Sequence, residues 1–516
     1  MTSPGRAAAA LAVVALASGC AVGPDFRPPK PTAIDRYTRP SLSDTTTSTD
    51  VAGGEAQRFV PGQDIPHDWW TLFQSPGLNA LIEQALRASP TLIAAQQALR
   101  QAMQLVAAQR GLFYPTAQAS FSPSRQSNSA TIGPPTGTSF PLRQPPPGSN
   151  DAIGPGTLNP TFNLYTAQVT VGYTPDVFGS NRRQVESLIG QADAQRFQLE
   201  ATYVTLTSNV VAAALQEASL RAQLEATREI IAISTKSLEL VRRQFALGAV
   251  TGLDVAAQET ALAQVEQTLP ALQKQLEQNR NLLIALLGQL PDDDPRETFD
   301  LASFQLPTEL PVSLPSRLVA QRPDVRAAEA QLHAASAQVG VAVAARLPDF
   351  TITATAGGTS TSFDQLFSNG NAFWSVAGTL SHTIFDGFTL FFRQRAAEAT
   401  FEQAAALYRS AVIAGYQNVA DSLYALQADA DSLRAAVAAE RAARRTLDIT
   451  VKQQEVGAVN YLVLLSARQA YQQTLITRVQ AQANRLADTA ALFQALGGGW
   501  WNRPLAANTP TKPGGN

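Results

Sequence analysis

The chain has 516 residues, and its 39 lysines and arginines nearly balance 41 aspartates and glutamates, for a formal net charge of −2. This balance argues against a basic surface that binds nucleic acid. Only 3 histidines and 1 cysteine are present, which excludes a disulfide framework and a metal site built from several His or Cys residues. We therefore expect neither an enzyme nor a bound metal or other cofactor.

The first 19 residues have the pattern of a bacterial export signal. Arg6 precedes an apolar run over residues 7–17, and a small-residue cleavage site leads directly to Cys20. Cys20 is therefore the candidate for lipidation in a lipoprotein signal, and the alternative is an incidental cysteine in an ordinary signal peptide. Ala21 follows, and the lack of Asp at this position is typical of sorting to the outer membrane. No later segment has about 18 uninterrupted apolar residues, so we predict no transmembrane helix.

Proline-free stretches mark where long helices can form, and they cover residues 176–269 and 349–503. Within them, apolar residues recur at alternating spacings of four and three over 199–245 and again over 412–437. Such long seams predict extended helical hairpins, although the core stripe of a helical bundle is an alternative.

Alternation of polar and apolar side chains predicts four strands, at residues 117–122, 165–173, 350–356 and 374–381. They form two hairpins. A loop rich in Pro, Gly and Ser, from Pro123 to Asn163, lies between the first two strands.

The two halves of the chain resemble each other, since residues 89–115 match 322–348 and both second strands lead into glycine-containing turns. In each half the predicted elements follow the same order: helix, strand, loop, strand, long helix, Gly turn and returning helix. This shared order predicts an internal duplication. The predicted divisions are a signal peptide (1–19), an N-terminal extended segment (20–75), a first repeat (76–288), an equatorial connector (289–315), a second repeat (316–497) and a flexible C-terminal tail (498–516).

Helix lengths constrain how each repeat folds. A helix over residues 180–246 is about 100 Å long, whereas the return over 252–288 covers only about 55 Å. A further helix over 316–346 adds about 46 Å, so that two stacked helices retrace the long one. Pro270 should kink the returning helix.

Four strands are too few to enclose a pore, and an open sheet would leave its edges unpaired in lipid. Three copies of the chain would supply about 12 strands, a reasonable size for a membrane pore. From the residues alone, the predicted fold class is an α+β membrane protein of long α-helical hairpins, with four β-strands per protomer and an internal duplication.

Several motifs follow one another in a characteristic order along residues 20–500. They are Cys20-Ala21-Val22-Gly23-Pro24-Asp25-Phe26, Trp69-Trp70, Asp176-Val177-Phe178-Gly179, Gln321-Arg322-Pro323-Asp324-Val325 and Ile384-Phe385-Asp386-Gly387. In this order they resemble the TolC-like outer-membrane efflux proteins, and more narrowly their NodT-type lipoprotein subgroup, which serves resistance-nodulation-division pumps.

This resemblance implies that the long α-helical hairpins of a homotrimer form a periplasmic α-barrel, and that four β-strands per protomer contribute to a trimeric, 12-stranded outer-membrane β-barrel. The trimer would form one continuous, passive duct, lipid-anchored in the cell outer membrane and extending into the periplasm. It implies a periplasmic adaptor, or membrane fusion protein, and an inner-membrane resistance-nodulation-division transporter as partners, with small molecules such as drugs as cargo. Two alternatives stay open. One is the exit duct of an ABC-driven type I protein secretion system, and the other is a periplasmic coiled-coil lipoprotein without a pore, which would not need the four strands.

The resemblance also assigns roles to the Gly turns at the ends of the long hairpins, which gate the duct and contact the adaptor in the family. The candidate adaptor contacts are Leu247, Gly248, Ala249, Val456, Gly457 and Ala458.

Asp254 matches an acidic residue that the family places at the periplasmic constriction, and it is the candidate gate residue. Basic partners for it lie near the same turns, at Arg242, Arg243 and Lys452. The alternative is a solvated carboxylate at a helix start. After the second turn, where the family often has acids, this sequence has Val459, Val463 and Ser466, so a strong acidic ring and marked cation selectivity are not expected.

Two aromatic groups have structural interpretations. Trp69, Trp70 and Phe73 are expected to pack together at the equator. Phe385, Phe388, Phe391 and Phe392 lie where a strand meets a helix, which suits either a membrane interface or core packing.

Overall fold

The computed structural model describes residues 21–30, 36–39, 42–127, 161–292 and 297–503. The signal segment, Cys20, most of the long loop and the tail beyond residue 503 lie outside these ranges. The helices are α1 (Pro76–Ala88), α2 (Pro90–Gly111), α3 (Ser180–Ala246), α4 (Gly252–Leu286), α5 (Pro315–Gln321), α6 (Pro323–Ala344), α7 (Thr389–Glu455) and α8 (Tyr461–Ala495). Within the described ranges, no helix combines the length and the apolar character needed to cross a bilayer.

The strands form two sheets. They are β1 (Arg58–Pro61), β2 (Thr116–Ser127), β3 (Thr161–Tyr173), β4 (Glu309–Val312), β5 (Asp349–Ser360) and β6 (Ala372–Ser381). The larger sheet is antiparallel in the order β2-β3-β5-β6, and it contains all four predicted strands. The smaller sheet pairs β1 with β4 in parallel.

Two compact units make up the described chain. One contains the described residues among 1–25, 104–188 and 335–400, and it holds the larger sheet. The other contains those among 26–103, 189–334 and 401–516, and it holds the ends of the long hairpins.

The long helices show the duplication directly. The helices α3 and α7 each have 67 residues, and the returning helices α4 and α8 each have 35. The bounds of α3 coincide with those expected from Gly and Pro placement. The helix α4 continues through Pro270 without interruption.

The predicted helix over residues 316–346 is instead two helices, α5 and α6. The break falls at Arg322, whose extended backbone (φ −80°, ψ 122°) precedes Pro323. The first repeat breaks in the same way at Ser89 before Pro90. A residue before proline avoids the helical conformation because the proline ring clashes with its backbone.

The small β1–β4 sheet was not expected from the sequence. Each strand has only four residues and contains a proline, with Pro61 opposite Val312 and Pro311 opposite Val60, so no alternation was visible. This sheet joins the N-terminal segment to the connector between the repeats.

The core of the second unit gathers around the aromatic residues that precede α1. Trp69 and Phe73 are fully buried, and the Trp69 ring stacks on Phe493 of α8 with the ring centroids 5.3 Å apart. The expected packing role of these aromatic residues is confirmed.

A buried arginine fastens the N-terminal segment to α8. Arg485 is fully buried and donates hydrogen bonds to the Gly53 carbonyl (3.2 Å) and the Thr46 hydroxyl (3.0 Å). Gln57, also fully buried, donates to the Pro307 carbonyl at 3.0 Å. Because buried polar groups are costly without partners, these bonds define one path for the segment across the unit.

Candidate functional site

The larger sheet has one apolar and one polar face. Because paired residues of neighbouring strands point to the same side, the register assigns every position. The apolar face carries Ala117, Ala119, Phe121, Val169, Val171, Tyr173, Phe350, Ile352, Ala354, Ala356, Trp374, Val376 and Leu380. The polar face carries Gln118, Ser120, Ser122, Thr166, Gln168, Thr170, Thr351, Thr353, Thr355, Ser375, Thr379 and Ser381.

The apolar face is exposed within this chain, with 79% of Trp374 and 67% of Val376 accessible. On the polar face, threonine hydroxyls of β3 and β5 approach each other at 3.2 Å between Thr166 and Thr359. In the described chain β2 and β6 are the edges of this sheet. The sheet therefore offers one face to an apolar medium, one to water, and two edges for pairing.

The two hairpin turns have the same backbone geometry. Gly248 and Gly457 both have φ of 74°, in the left-handed region that favours glycine. The Ala249 N–H donates to the Gln244 carbonyl at 2.9 Å, and the Ala458 N–H donates to the Gln453 carbonyl at 2.8 Å. These bonds close each long helix with a Schellman motif.

All six predicted tip residues are exposed, and a Cβ at either glycine would meet no atom within 4 Å. Leu247 and Val456 are large apolar residues with 84% and 80% of their surface accessible. The turns therefore present apolar side chains on a defined backbone.

Asp254 lies at the start of α4, where it completes a capping box with Thr251. Its Oδ2 accepts hydrogen bonds from the Thr251 N–H (2.8 Å) and the Thr251 hydroxyl (2.7 Å). At the equivalent place in the second repeat, Asn460 caps α8 by accepting from the Val463 N–H at 3.1 Å. The Asp254 carboxylate thus has a structural task as well as a charge.

Arg242, one of the basic residues expected to pair with Asp254, has a different partner within the chain. The Arg242 guanidinium pairs with Glu259, at 2.7 Å between Nη2 and Oε1. Both side chains are exposed, and such a pair contributes little to stability.

Two polar bridges join the hairpins close to the turns. The Tyr461 hydroxyl of α8 donates to Gln258 Oε1 of α4, and Gln258 Nε2 donates to the Ser234 carbonyl of α3 at 2.9 Å. Seven residues further along α8, the Arg468 guanidinium donates to the Ser237 hydroxyl of α3.

These bridges are partly shielded from water. Gln258 is fully buried. Burial raises the pKa of Tyr461, against an opposing effect of the Arg468 charge and with a smaller upward contribution from Asp254. Burial lowers the pKa of Arg468. The Tyr461 ring belongs to an apolar cluster with Val241, Val250, Val255, Leu447, Val451, Leu464 and Leu465.

The sequence analysis did not identify these bridges. The available signal was the spacing of Tyr461 and Arg468 by one heptad, which places two polar groups on one face of α8. Their partners lie more than 200 positions away, so spacing alone could not find them.

An open groove of about 470 Å³ runs between α7 and α8 beside the second turn. It is lined by Thr446, Thr450, Asn460, Leu462, Val463, Ser466, Ala467 and Ala470. The lining combines threonine and serine hydroxyls with exposed Leu462 and Val463, which suits an amphipathic partner segment.

The residues that follow Cys20 dock on the segment between β3 and α3. The Val22 N–H donates to the Phe178 carbonyl at 3.1 Å, and the buried Arg183 guanidinium pairs with Asp25 at 2.7 Å. A Cβ on Gly179 would come within 2.7 Å of Ala21, so glycine permits this close approach.

This architecture matches a known family. The family model described as outer membrane efflux protein matches residues 81–289 and 314–498, three quarters of the chain. The chain belongs to the outer membrane efflux protein family.

Similar proteins agree with this assignment. The pyoverdine export outer membrane protein OpmQ of Pseudomonas putida is 28% identical over 462 residues, which cover 89% of this chain and 93% of OpmQ. The toluene efflux pump outer membrane protein TtgF of Pseudomonas putida is 28% identical over 506 residues, covering 95% and 97%. The solved structure of the outer-membrane channel OprN superposes with a TM-score of 0.78 at 25% identity, covering 93% of this chain and all of that one.

These matches confirm the resemblance, the α+β channel fold and the function in outer-membrane efflux that the sequence predicted. The family consists of transport proteins, and its location is the outer membrane.

Proposed function

We propose that the protein is a homotrimeric, passive exit duct through which an inner-membrane transporter and a periplasmic adaptor export small molecules. The observation that carries this proposal is the division of the larger sheet into an exposed apolar face and a polar face. A sheet of this kind can contact lipid with its apolar face and water with its polar face.

Assembly follows from the edges of that sheet. In lipid, the free N–H and C=O groups of β2 and β6 have no water to bind, so they need strand partners. We propose that β2 of one copy pairs with β6 of the next, and that three sheets close into one ring of twelve strands. Small-molecule cargo is supported by the names of the relatives, which export pyoverdine and toluene.

The adaptor is proposed to contact the hairpin turns. The six exposed residues Leu247, Gly248, Ala249, Val456, Gly457 and Ala458 supply an apolar surface on fixed backbone, and the groove between α7 and α8 lies beside the second turn. An amphipathic helical end would fit such a surface. A resistance-nodulation-division transporter is proposed as the inner-membrane partner that supplies the energy.

We propose that the polar bridges at Tyr461 and Arg468 hold the periplasmic mouth in a narrow state. Opening would require the two hairpins to separate, which breaks the Tyr461–Gln258 and Arg468–Ser237 bonds. Asp254 is proposed as a charged residue at this mouth, where its capping bonds fix the carboxylate in position. Like charges from three copies would converge there and attract cations.

The lipid anchor is proposed to be Cys20, and residues 1–19 a signal peptide. The docking of residues 21–25 on the β3–α3 segment supports this, because it holds the chain next to Cys20 against the unit that contains the sheet. Mass spectrometry of the purified protein should find an acylated Cys20 at the N-terminus. An unmodified N-terminus at another residue would contradict the anchor without affecting the duct.

We propose the same domain divisions as the sequence indicated: two repeats at 76–288 and 316–497, the connector at 289–315 and the N-terminal segment at 20–75. The equal helix lengths in the two halves support the repeats. The final division, 498–516, begins with residues that pack, since Trp500 Nε1 donates to the Gln321 carbonyl at 2.6 Å, and continues outside the described residues.

A deletion strain tests the proposed function. Loss of the gene should raise intracellular accumulation of a fluorescent efflux dye, and complementation with the full chain should restore export. Unchanged dye accumulation together with loss of a secreted protein from the medium would instead indicate protein secretion.

A further inference from the structure

The polar face of the larger sheet carries almost no charge. Serine, threonine and glutamine occupy most of its described positions, and the others hold glycine, alanine, leucine, phenylalanine or aspartate. Asp349 is the one charged residue among the described strand positions of this face. Hydroxyl and amide groups carry no net charge, so this single carboxylate dominates the electrostatics of the face.

The strand register fixes the side on which Asp349 lies. Asp349 is the first residue of β5 and pairs with Ser381, the last residue of β6. The next pair, Phe350 and Leu380, lies on the apolar face, and successive side chains of a strand point to opposite faces. Asp349 is exposed within the chain, and its carboxylate has no hydrogen bond or ion pair with a residue that the structure describes. Its charge therefore stands on the polar side, at one end of the sheet.

Two charged groups near Asp349, one in sequence and one in space, have other partners. Arg346, three residues earlier, donates to Gln394 Oε1 at 2.5 Å. Asp176 lines the same open cavity as Asp349, of about 270 Å³, but the Arg182 guanidinium lies 3.4 Å from its Oδ2. Among the described residues, Asp349 is thus the carboxylate of this cavity whose charge no cation offsets.

The two repeats differ at this position. The match of residues 89–115 with 322–348, extended by one residue, aligns Thr116 with Asp349. The Thr116 hydroxyl donates to the Gly172 carbonyl at 3.4 Å. Each protomer therefore has a carboxylate at one strand start and a neutral hydroxyl at the equivalent one. In a trimer, three carboxylates would alternate with three hydroxyls around the end of the sheet.

A ring of like charges acts on every ion that passes it. Rings of aspartate make a pore favour cations, because the carboxylates attract cations and repel anions. The field of exposed charges extends about 10 Å at an ionic strength of about 0.1 M, and about 30 Å at about 0.01 M. Since the other described positions of the polar face are neutral, none of them would cancel this field.

We propose that Asp349 determines the charge preference of the passage through the sheet, so that cations, including small organic cations, pass more readily than anions. This preference is distinct from any effect of Asp254, which lies in the other unit and completes the cap of α4. Marked cation selectivity was not expected from the residues at the hairpin turns, and Asp349 is a separate source of it. The inference rests on the proposed function, since it requires three copies with their polar faces around one passage.

Reversal potentials of the full chain in planar bilayers test the proposal. Purified trimers are placed in a roughly tenfold KCl gradient at about 0.1 M and below, where the screening length is about 10 Å or more. Asp349→Asn removes the charge at nearly constant volume, and Thr116→Asp adds a carboxylate at the equivalent start of β2. Arg125→Gln is the matched control, because Arg125 lies on the same side of β2 as Phe121, on the apolar face.

The unsubstituted trimer should favour potassium over chloride. Asp349→Asn should lower the permeability ratio of potassium to chloride several-fold, Thr116→Asp should raise it, and Arg125→Gln should leave it unchanged. Both shifts should shrink in about 1 M KCl, where the screening length is only about 3 Å.

An unchanged ratio in Asp349→Asn would overturn the proposal, whether or not the unsubstituted trimer is selective. If Asp349→Asn forms no trimer, an unchanged ratio in Thr116→Asp would overturn it. An effect of Arg125→Gln as large as that of Asp349→Asn would show that the face on which a charge lies does not matter, which would also overturn it. Failure of the unsubstituted trimer to conduct at all would instead reject the proposed duct, and the inference with it.

Discussion

Removal of the Tyr461 hydroxyl should weaken the closed state of the periplasmic mouth. In Tyr461→Phe the ring and its packing in the apolar cluster remain, and only the hydrogen bond to Gln258 is lost. Gln258 is fully buried, so its Oε1 is left without a partner and without water. A buried polar group in that condition costs about 1–3 kcal/mol.

This cost falls on the state in which the hairpins are joined, because separation of the hairpins exposes Gln258 to water. A change of about 1–3 kcal/mol corresponds to a shift of roughly 5–150-fold in the equilibrium between closed and open states for each protomer. Three identical protomers each contribute such a shift in a trimer. We therefore expect a higher conductance, or a larger fraction of time in the open state, for the variant trimer.

The assay is single-channel recording from purified trimers in planar bilayers. Tyr471→Phe is the matched control, since it removes a hydroxyl from the same helix without touching the Tyr461–Gln258 bond. Arg468→Ala should act in the same direction, and its effect should add to that of Tyr461→Phe within about 0.5 kcal/mol if the two bridges are independent. Equal conductance in Tyr461→Phe and the unsubstituted protein, with intact trimers, would refute the role of this bridge.

Three further changes test separate features. Asp254→Asn keeps a capping oxygen for Thr251 but removes the charge. In planar bilayers the variant channel should show a weaker preference for cations or a weaker response to divalent cations, at unchanged trimer yield. Identical ion responses would identify Asp254 as a helix cap only. Gly457→Val places a β-branched residue at a backbone φ of 74°, which favours glycine. Complementation with this variant should restore less efflux than the unsubstituted chain, while outer-membrane trimers persist. Loss of the trimer would show a purely structural role. Burial raises the pKa of Asp429 from 3.8 to about 7, together with a hydrogen bond to Asp488 and repulsion by its charge. The folded state therefore holds this proton more tightly than the unfolded chain does. The free energy of unfolding should fall as the pH rises across that range. Asp429→Asn should flatten the pH dependence of the thermal midpoint, and an unchanged slope would contradict it.

The elements that the sequence predicted well are those set by local rules. Proline-free stretches bounded by glycine located α3 and α7, and alternation located β2, β3, β5 and β6, because helices and strands impose fixed periods on apolar residues. The turns at Gly248 and Gly457 were predictable for a similar reason, since left-handed backbone favours glycine.

Features that join distant parts of the chain were not predictable in this way. The β1–β4 pairing, the Arg485 bonds to the N-terminal segment and the Tyr461–Gln258 bridge each depend on side chains or short segments that meet only in the folded chain. Nothing in the spacing around Arg485 distinguishes a buried arginine from a solvated one on a helix surface. Such long-range polar contacts are set by tertiary packing, and local pattern does not encode them.

The subunit arrangement in a lipid bilayer tests the central claim most directly. Electron cryomicroscopy of the full chain in lipid nanodiscs should show three copies around one axis, with β2 of each copy hydrogen-bonded to β6 of the next and the polar face of the sheet lining a continuous passage. A monomer, or an assembly that leaves β2 and β6 unpaired or turns the apolar face inward, would contradict the proposed duct.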